Sequence, residues 1–179
     1  DGDAGFVVVA GQFEANGDYQ AVPASEPSLA VFTLDAQTLH REYETTCQVS
    51  QNAGIVVNYR KTAGDVTTFL LTLLDVDKKT FGIYLFNGSK LAQLAQSPVA
   101  DLQADAMYRL KFRVLPNTTT GTSINLLATL EGITDSQLKL TISSSIVTGL
   151  WGTDSAQAGL YADKAKSVFY DWQISEVLE

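Results

Sequence analysis

Met107-Tyr108-Arg109-Leu110-Lys111-Phe112-Arg113-Val114-Leu115 alternates apolar and cationic residues with a period of two. Successive side chains of an extended strand point to opposite sides, so Tyr108, Leu110, Phe112 and Val114 share one face. Arg109, Lys111 and Arg113 share the other. Working outward, the same rhythm returns in Arg41 to Val49. There Tyr43, Thr45, Cys47 and Val49 oppose Glu42, Glu44, Thr46 and Gln48. Ile124, Leu126, Ala128 and Leu130 form a third such row, and Leu138, Leu140 and Ile142 a fourth. These rows predict half-buried antiparallel strands. Phe6 to Val9, Ile55 to Tyr59, Phe69 to Leu74 and Phe81 to Phe86 are apolar on both faces, which predicts central strands with little solvent contact.

Asn16-Gly17 and Asn87-Gly88 are hairpin signals, because both central residues of such a turn take positive φ. Asp75 to Lys79 and Asn117 to Gly121 are polar breaks. Ser89 to Ala106 places Leu91, Leu94 and Ala95 at helical spacing but contains Pro98, so a helix and a strand with a loop both stay open there. Many short strands and almost no helix predict an all-β, antiparallel two-sheet sandwich or jelly roll, with residues 1–179 as one domain.

Composition narrows the function. The 179 residues are 45% hydrophobic and 18% charged, unlike a disordered or collagen-like chain. No apolar run reaches the roughly 18 residues that span a bilayer. A single cysteine excludes an internal disulfide and a cysteine-rich zinc site, and a single histidine excludes a His-rich metal centre. The net charge of −8 argues against nucleic acid, which calls for a basic face. Cys47 sits in an alternating segment with no basic neighbour, so it reads as a buried, unreactive thiol. Asn87-Gly88-Ser89 and Asn117-Thr118-Thr119 match the glycosylation triplet, which matters only in a eukaryotic secretory host. The start at Asp1-Gly2-Asp3, without Met, reads as a mature product or a domain excised from a larger protein.

Several segments, in order, resemble the concanavalin A-like lectin/glucanase superfamily in its laminin-G-like jelly-roll form. Gly5 to Phe13 followed by Asn16-Gly17-Asp18-Tyr19 is similar to the opening hairpins of bacterial members. Asn52-Ala53-Gly54-Ile55-Val56-Val57-Asn58-Tyr59-Arg60 resembles an inner strand that begins in "AG-hydrophobic". Tyr108 to Val114 with Ile124 to Gly132 resembles a "W/Y-Y-R-L" strand and its partner, here ending Glu131-Gly132. Ala158-Gly159-Leu160-Tyr161 and Val168-Phe169-Tyr170-Asp171-Trp172-Gln173-Ile174 resemble the closing pair. The resemblance implies the fold; it leaves lectins, glycosidases, lyases, adhesion modules and spacers open.

Catalysis is not expected. Retaining glycosidases need two carboxylates about 5 Å apart. The strand that would correspond to the family-16 "E-x-D-x-x-E" pattern is Thr67 to Leu74, with no carboxylate before Asp75. His40 has no evident partner, and no "G-x-S-x-G" occurs. Glu42 and Glu44 alternate on one face and read as a solvated outer surface rather than a paired-acid site. The resemblance implies a structural calcium ion held by Asp171 and backbone carbonyls; an ordinary exposed aspartate is the alternative. Asp1 and Asp3 are too sparse for a calcium loop, and Lys78-Lys79 opposes cation binding at Asp75-Val76-Asp77.

Glycan recognition on the concave sheet would use Asn58 and Arg60, outward-facing if Ile55, Val57 and Tyr59 face the core. Tyr84 and the stripe Arg109, Lys111 and Arg113 complete the candidate ligand-binding set, and the stripe suits an acidic glycan or a carboxylate-bearing partner. Cross-strand pairing of that stripe with acids is the competing explanation. Trp151, between glycines, is either a binding aromatic or a buried loop anchor. The expected function is a non-catalytic, calcium-stabilised carbohydrate-binding module of an extracellular or cell-surface protein, with no membrane insertion. A structural or adhesion spacer is the alternative, and a glycan-active enzyme with an atypical site comes third.

Overall fold

A computed structural model describes residues 7–11, 13–15, 19–21, 28–33, 41–61, 64–117, 119, 121–135, 137–147, 157–162 and 167–177. The alternating stretch forms strand β10 (Ala106–Pro116), with β5 (Arg41–Val49) on one side and β11 (Ser123–Gly132) on the other. Its sheet runs outward to β12 (Lys139–Val147) at one end. At the other end it continues through β14 (Val168–Glu176), β3 (Tyr19–Ala21) and β2 (Phe13–Ala15). The facing sheet has the order β1 (Val7–Ala10), β4 (Ser28–Thr33), β13 (Gln157–Ala162), β6 (Asn52–Lys61), β7 (Thr67–Asp75), β8 (Thr80–Asn87) and β9 (Leu91–Pro98). All strand pairs are antiparallel, and no helix occurs among the described residues. We call the β1-to-β9 sheet the first sheet and the β12-to-β2 sheet the second.

The core lies between the sheets. Tyr43, Leu110 and Phe112 of the second sheet meet Leu74, Phe81 and Ile83 of the first, all fully buried. Cys47 is buried among them, and desolvation pushes its thiol pKa upward, so it stays protonated and unreactive. The first sheet is also apolar on its outward face, where Leu29, Val31, Val56, Phe69, Leu71, Leu73 and Tyr161 form a second buried cluster. Strands β6, β7 and β8 are therefore shielded on both sides, as their two-sided apolar sequence predicts.

One expectation needs correction, and one open alternative is decided. Val7, Val8 and Val9 do not form a central strand: among the described residues β1 is an edge strand paired only with β4, and these valines are 61%, 44% and 39% exposed. A short apolar run looks the same at an edge and at a centre. Residues 91–98 form strand β9 rather than a helix. Ile83 stands opposite Ala95 and Tyr84 opposite Gln93, leaving Leu94 as an extra residue. That bulge lets both Leu94 and Ala95 pack on the core, which produces the helix-like spacing.

The turns follow their residues. The Asp75 carboxylate accepts the Lys78 N–H at 2.9 Å and its ammonium at 2.8 Å, closing the β7–β8 hairpin. Asn87-Gly88 departs from the expected two-residue turn: Gly88 takes φ 90° but Asn87 does not take positive φ, and residues 88–90 connect β8 to β9. Asn117 accepts the Thr119 N–H on its side chain at 3.1 Å, and its carbonyl accepts the Gly121 N–H at 2.8 Å. Asn16-Gly17 lies outside the described residues, although the flanking β2 and β3 pair antiparallel. Among the described residues no helix is long and apolar enough to cross a membrane.

Candidate functional site

Two bulges in the first sheet aim side chains at the same place. In β1, Val8 opposes Ala30 and Ala10 opposes Leu29, so Val9 is an extra residue. In β6, Val57 opposes Leu70 and Arg60 opposes Thr68, so Asn58 and Tyr59 together face the single residue Phe69. Asn58 carries φ 54°, a left-handed conformation that asparagine tolerates better than most residues. The extra residue moves the alternation by one position. Tyr59, which unbroken alternation puts in the core, turns outward onto the second apolar cluster.

The result is a groove of about 280 Å³ on the outward face of the first sheet. Tyr59, Phe69, Phe86 and Tyr161 supply rings to it, Val9, Ala10, Leu29 and Leu91 aliphatic surface, and Thr67 a hydroxyl. Phe69 is the hub. Its ring centroid is 4.8 Å from Phe86 at an interplanar angle of 19°, 6.2 Å from Tyr59 at 25°, and 6.4 Å from Tyr161 at 45°. Such offset aromatic contacts add to the burial of apolar area. Among the described residues the lining contains no carboxylate and no cation; their side-chain polar groups are the hydroxyls of Tyr59, Tyr161 and Thr67.

Tyr84 packs on the same outward cluster, and its ring covers Gly82, where a Cβ would stand 2.6 Å from the ring. Its hydroxyl accepts the Gln96 amide at 3.0 Å, and burial pushes its pKa upward. Asn58 and Arg60 do not face outward. The bulge turns Arg60 to the side of Thr68 and Leu70, and both residues line a pocket of about 80 Å³ that reaches Ile146 of the second sheet.

Arg109, Lys111 and Arg113 lie on the outward face of the second sheet, across the sandwich from the groove. Arg113 donates to Glu42 Oε2 from Nε at 2.9 Å and from Nη2 at 2.6 Å. Glu44 receives Arg109 at 3.1 Å and Lys111 at 3.1 Å. Glu131 receives Lys139 at 2.9 Å and Arg109 at 3.7 Å. The hydrogen bond from Lys139, then the surrounding cations, holds the Glu131 carboxyl below its usual range. The register puts Arg113 opposite Glu42 and Lys111 opposite Glu44, so cross-strand pairing accounts for the stripe.

The six candidate ligand-binding residues thus fall in three places, and only Tyr84 shares the face of the groove. The rings that define the groove were not singled out by sequence reasoning. Their signal was the apolar outward set of Phe69 to Leu74 and Phe81 to Phe86, beyond what the core alone requires.

Asp171 is exposed, with φ 51°, at a bulge in β14 where Tyr170 opposes Thr46 and Gln173 opposes Glu44. The bulge brings both Phe169 and Trp172 onto the core and is tied by the Thr45 hydroxyl donating to the Tyr170 carbonyl at 2.9 Å. Calcium takes six to eight oxygens. Among the described residues no group of three His, Cys, Asp or Glu could hold a metal. A calcium ion here would use the single Asp171 carboxylate with backbone carbonyls and water. Asp1, Asp3, His40 and Trp151 lie outside the described residues.

No protein-family model matches the chain, and no curated protein sequence does either. Solved structures do. The chain is similar to the carbohydrate-binding module CBM66 from Bacillus subtilis, with TM-score 0.70 and 15% identity over 96% of each chain. It is similar to the metal-free form of lectin I-B4 from Griffonia simplicifolia, with TM-score 0.68 and 11% identity over 99% of this chain and 95% of that one. The exoplasmic/lumenal domain of VIP36, in a calcium- and mannose-bound form, gives TM-score 0.64 and 12% identity over 97% and 84%. At these identities the likeness is one of fold, the concanavalin A-like jelly roll.

Proposed function

We propose that this domain binds carbohydrate without cutting it, through the Tyr59–Phe69–Phe86–Tyr161 groove, and serves a secreted or cell-surface protein. The observation that carries the reading is the groove itself: aromatic and aliphatic side chains gathered on an outward sheet face, with tyrosine and threonine hydroxyls among them. Sugars offer apolar C–H patches to such surfaces and hydroxyls to such donors and acceptors. The folds that resemble this chain belong to a carbohydrate-binding module and to lectins, which supports the same reading. Glycoside hydrolysis needs a pair of carboxylates flanking the bond, and the described lining residues contribute none, which supports binding without chemistry.

A glycan array followed by calorimetry tests the proposal. At least one glycan is expected to bind, and Tyr59→Ala is expected to weaken it about tenfold or more while the domain stays folded. An array without a hit would favour the spacer alternative. Binding that survives Tyr59→Ala but is lost on removing Arg109, Lys111 and Arg113 would move the site to the second sheet.

A calcium ion at Asp171 belongs to the same reading as a stabilising element. Chelation is then expected to lower the melting temperature by several degrees, and Asp171→Ala to abolish that response. A melting temperature indifferent to both chelator and added calcium removes the ion from the account.

A further inference from the structure

We infer that the groove seats an uncharged sugar by an apolar substituent, a 6-deoxy methyl or an O-acyl group, and rejects uronates. This rests on the carbohydrate reading and names its ligand class. The first argument is polar accounting. The nine described lining residues offer three side-chain hydroxyls. An unsubstituted hexose brings more hydroxyls than that, and each one buried without a partner opposes binding. The part of the ligand that enters is therefore the part without hydroxyls.

Ring geometry gives the second argument. Phe69 and Phe86 stack on one another at 4.8 Å and 19°, and Tyr59 lies 6.2 Å from Phe69 at 25°. The central ring, Phe69, is only 6% exposed, so it does not offer a broad flat platform. With Val9 and Leu91, each more than a third exposed, the rings shape a slot for a compact apolar group. Charge gives the third. No cation is among the described residues that line the groove, and the net charge of −8 disfavours anions generally. The Arg109–Lys111–Arg113 stripe is on the opposite side of the sandwich and bound to Glu42, Glu44 and Glu131.

The test is calorimetry of the full chain with methyl glycosides in matched sets. Each set carries a methyl, hydroxymethyl, acetoxymethyl or carboxylate group at C5, in galacto, manno and gluco configurations. In at least one configuration the methyl or acetoxymethyl member is expected to bind about tenfold or more tightly than the hydroxymethyl member. The two arms separate deoxy from acyl recognition, and the carboxylate member is expected not to bind. Tyr59→Ala, and independently the exposed rim variant Leu91→Ala, are expected to erase the preference. Equal or tighter binding of the hydroxymethyl members, binding of a carboxylate member, or no binding within the sets would overturn the inference. Array hits that persist in those cases would leave the carbohydrate reading standing; an array without hits would remove both.

Discussion

On the outward face of β10, Arg109, Lys111 and Arg113 are matched across the strands by Glu42, Glu44 and Glu131; on the outward face of β7, Phe69, Leu71 and Leu73 form an apolar cluster with their neighbours. Both sheets give their inward faces to the same core. Their outward faces differ in what they leave unused. Each cation of the stripe has an acid within 3.1 Å or less, so the charge of this face is largely matched within the sheet. The aromatic face keeps an open groove, bounded by side chains that two bulges have turned into it. The charge anomaly in the sequence corresponds to cross-strand ion pairs, and the excess of apolar residues to the face that carries the groove.

The comparison can be broken by substitution. The largest effect is expected for Phe69→Ala, which removes a ring only 6% exposed at the centre of the aromatic cluster. It should cost about 3 kcal/mol of stability and abolish glycan binding, read by urea unfolding and calorimetry. A cost below about 1 kcal/mol would mean that the outward cluster is not packed as described. A much smaller effect is expected for Glu42→Gln. It weakens a pair whose Arg113 side chain is 37% exposed, so the loss should stay within about 1 kcal/mol, shrink with added salt and leave binding unchanged.

The smallest effect is a pH dependence on the charged face. The Glu131 carboxyl sits below its usual range when folded, so its contribution is complete above the unfolded pKa, about 4.3 for glutamate. It is lost as pH falls through the folded value. Glu131→Gln should therefore lower neutral stability slightly, leave stability in acid nearly unchanged, so that the acid limb of the curve flattens, and leave binding alone. An alkaline effect, or none of either kind, would contradict the pairing.

Much of this was legible in the sequence because period-two alternation is a direct record of which face a side chain occupies. The rows through Tyr108, Tyr43 and Ile124 emerge as β10, β5 and β11, and the two-sided apolar segments 55–59, 69–74 and 81–86 as β6, β7 and β8. What alternation cannot record is a bulge. One extra residue at Asn58 exchanged the faces of Tyr59 and Arg60, and one at Leu94 imitated a helical spacing. The groove was hidden for the same reason, since Tyr59 reaches it only through the left-handed backbone at Asn58. Cross-strand ion pairs were visible only as an alternative, because register decides which acid meets which base.

The central claim is that the aromatic face, not the charged one, receives the ligand. Amide chemical-shift mapping during titration with an array-selected glycan tests it most directly. The shifts are expected to gather on β1, β6, β7, β8 and β13 around Tyr59, Phe69, Phe86 and Tyr161. Shifts gathered instead on β5, β10 and β11 around Arg109, Lys111 and Arg113 would contradict it.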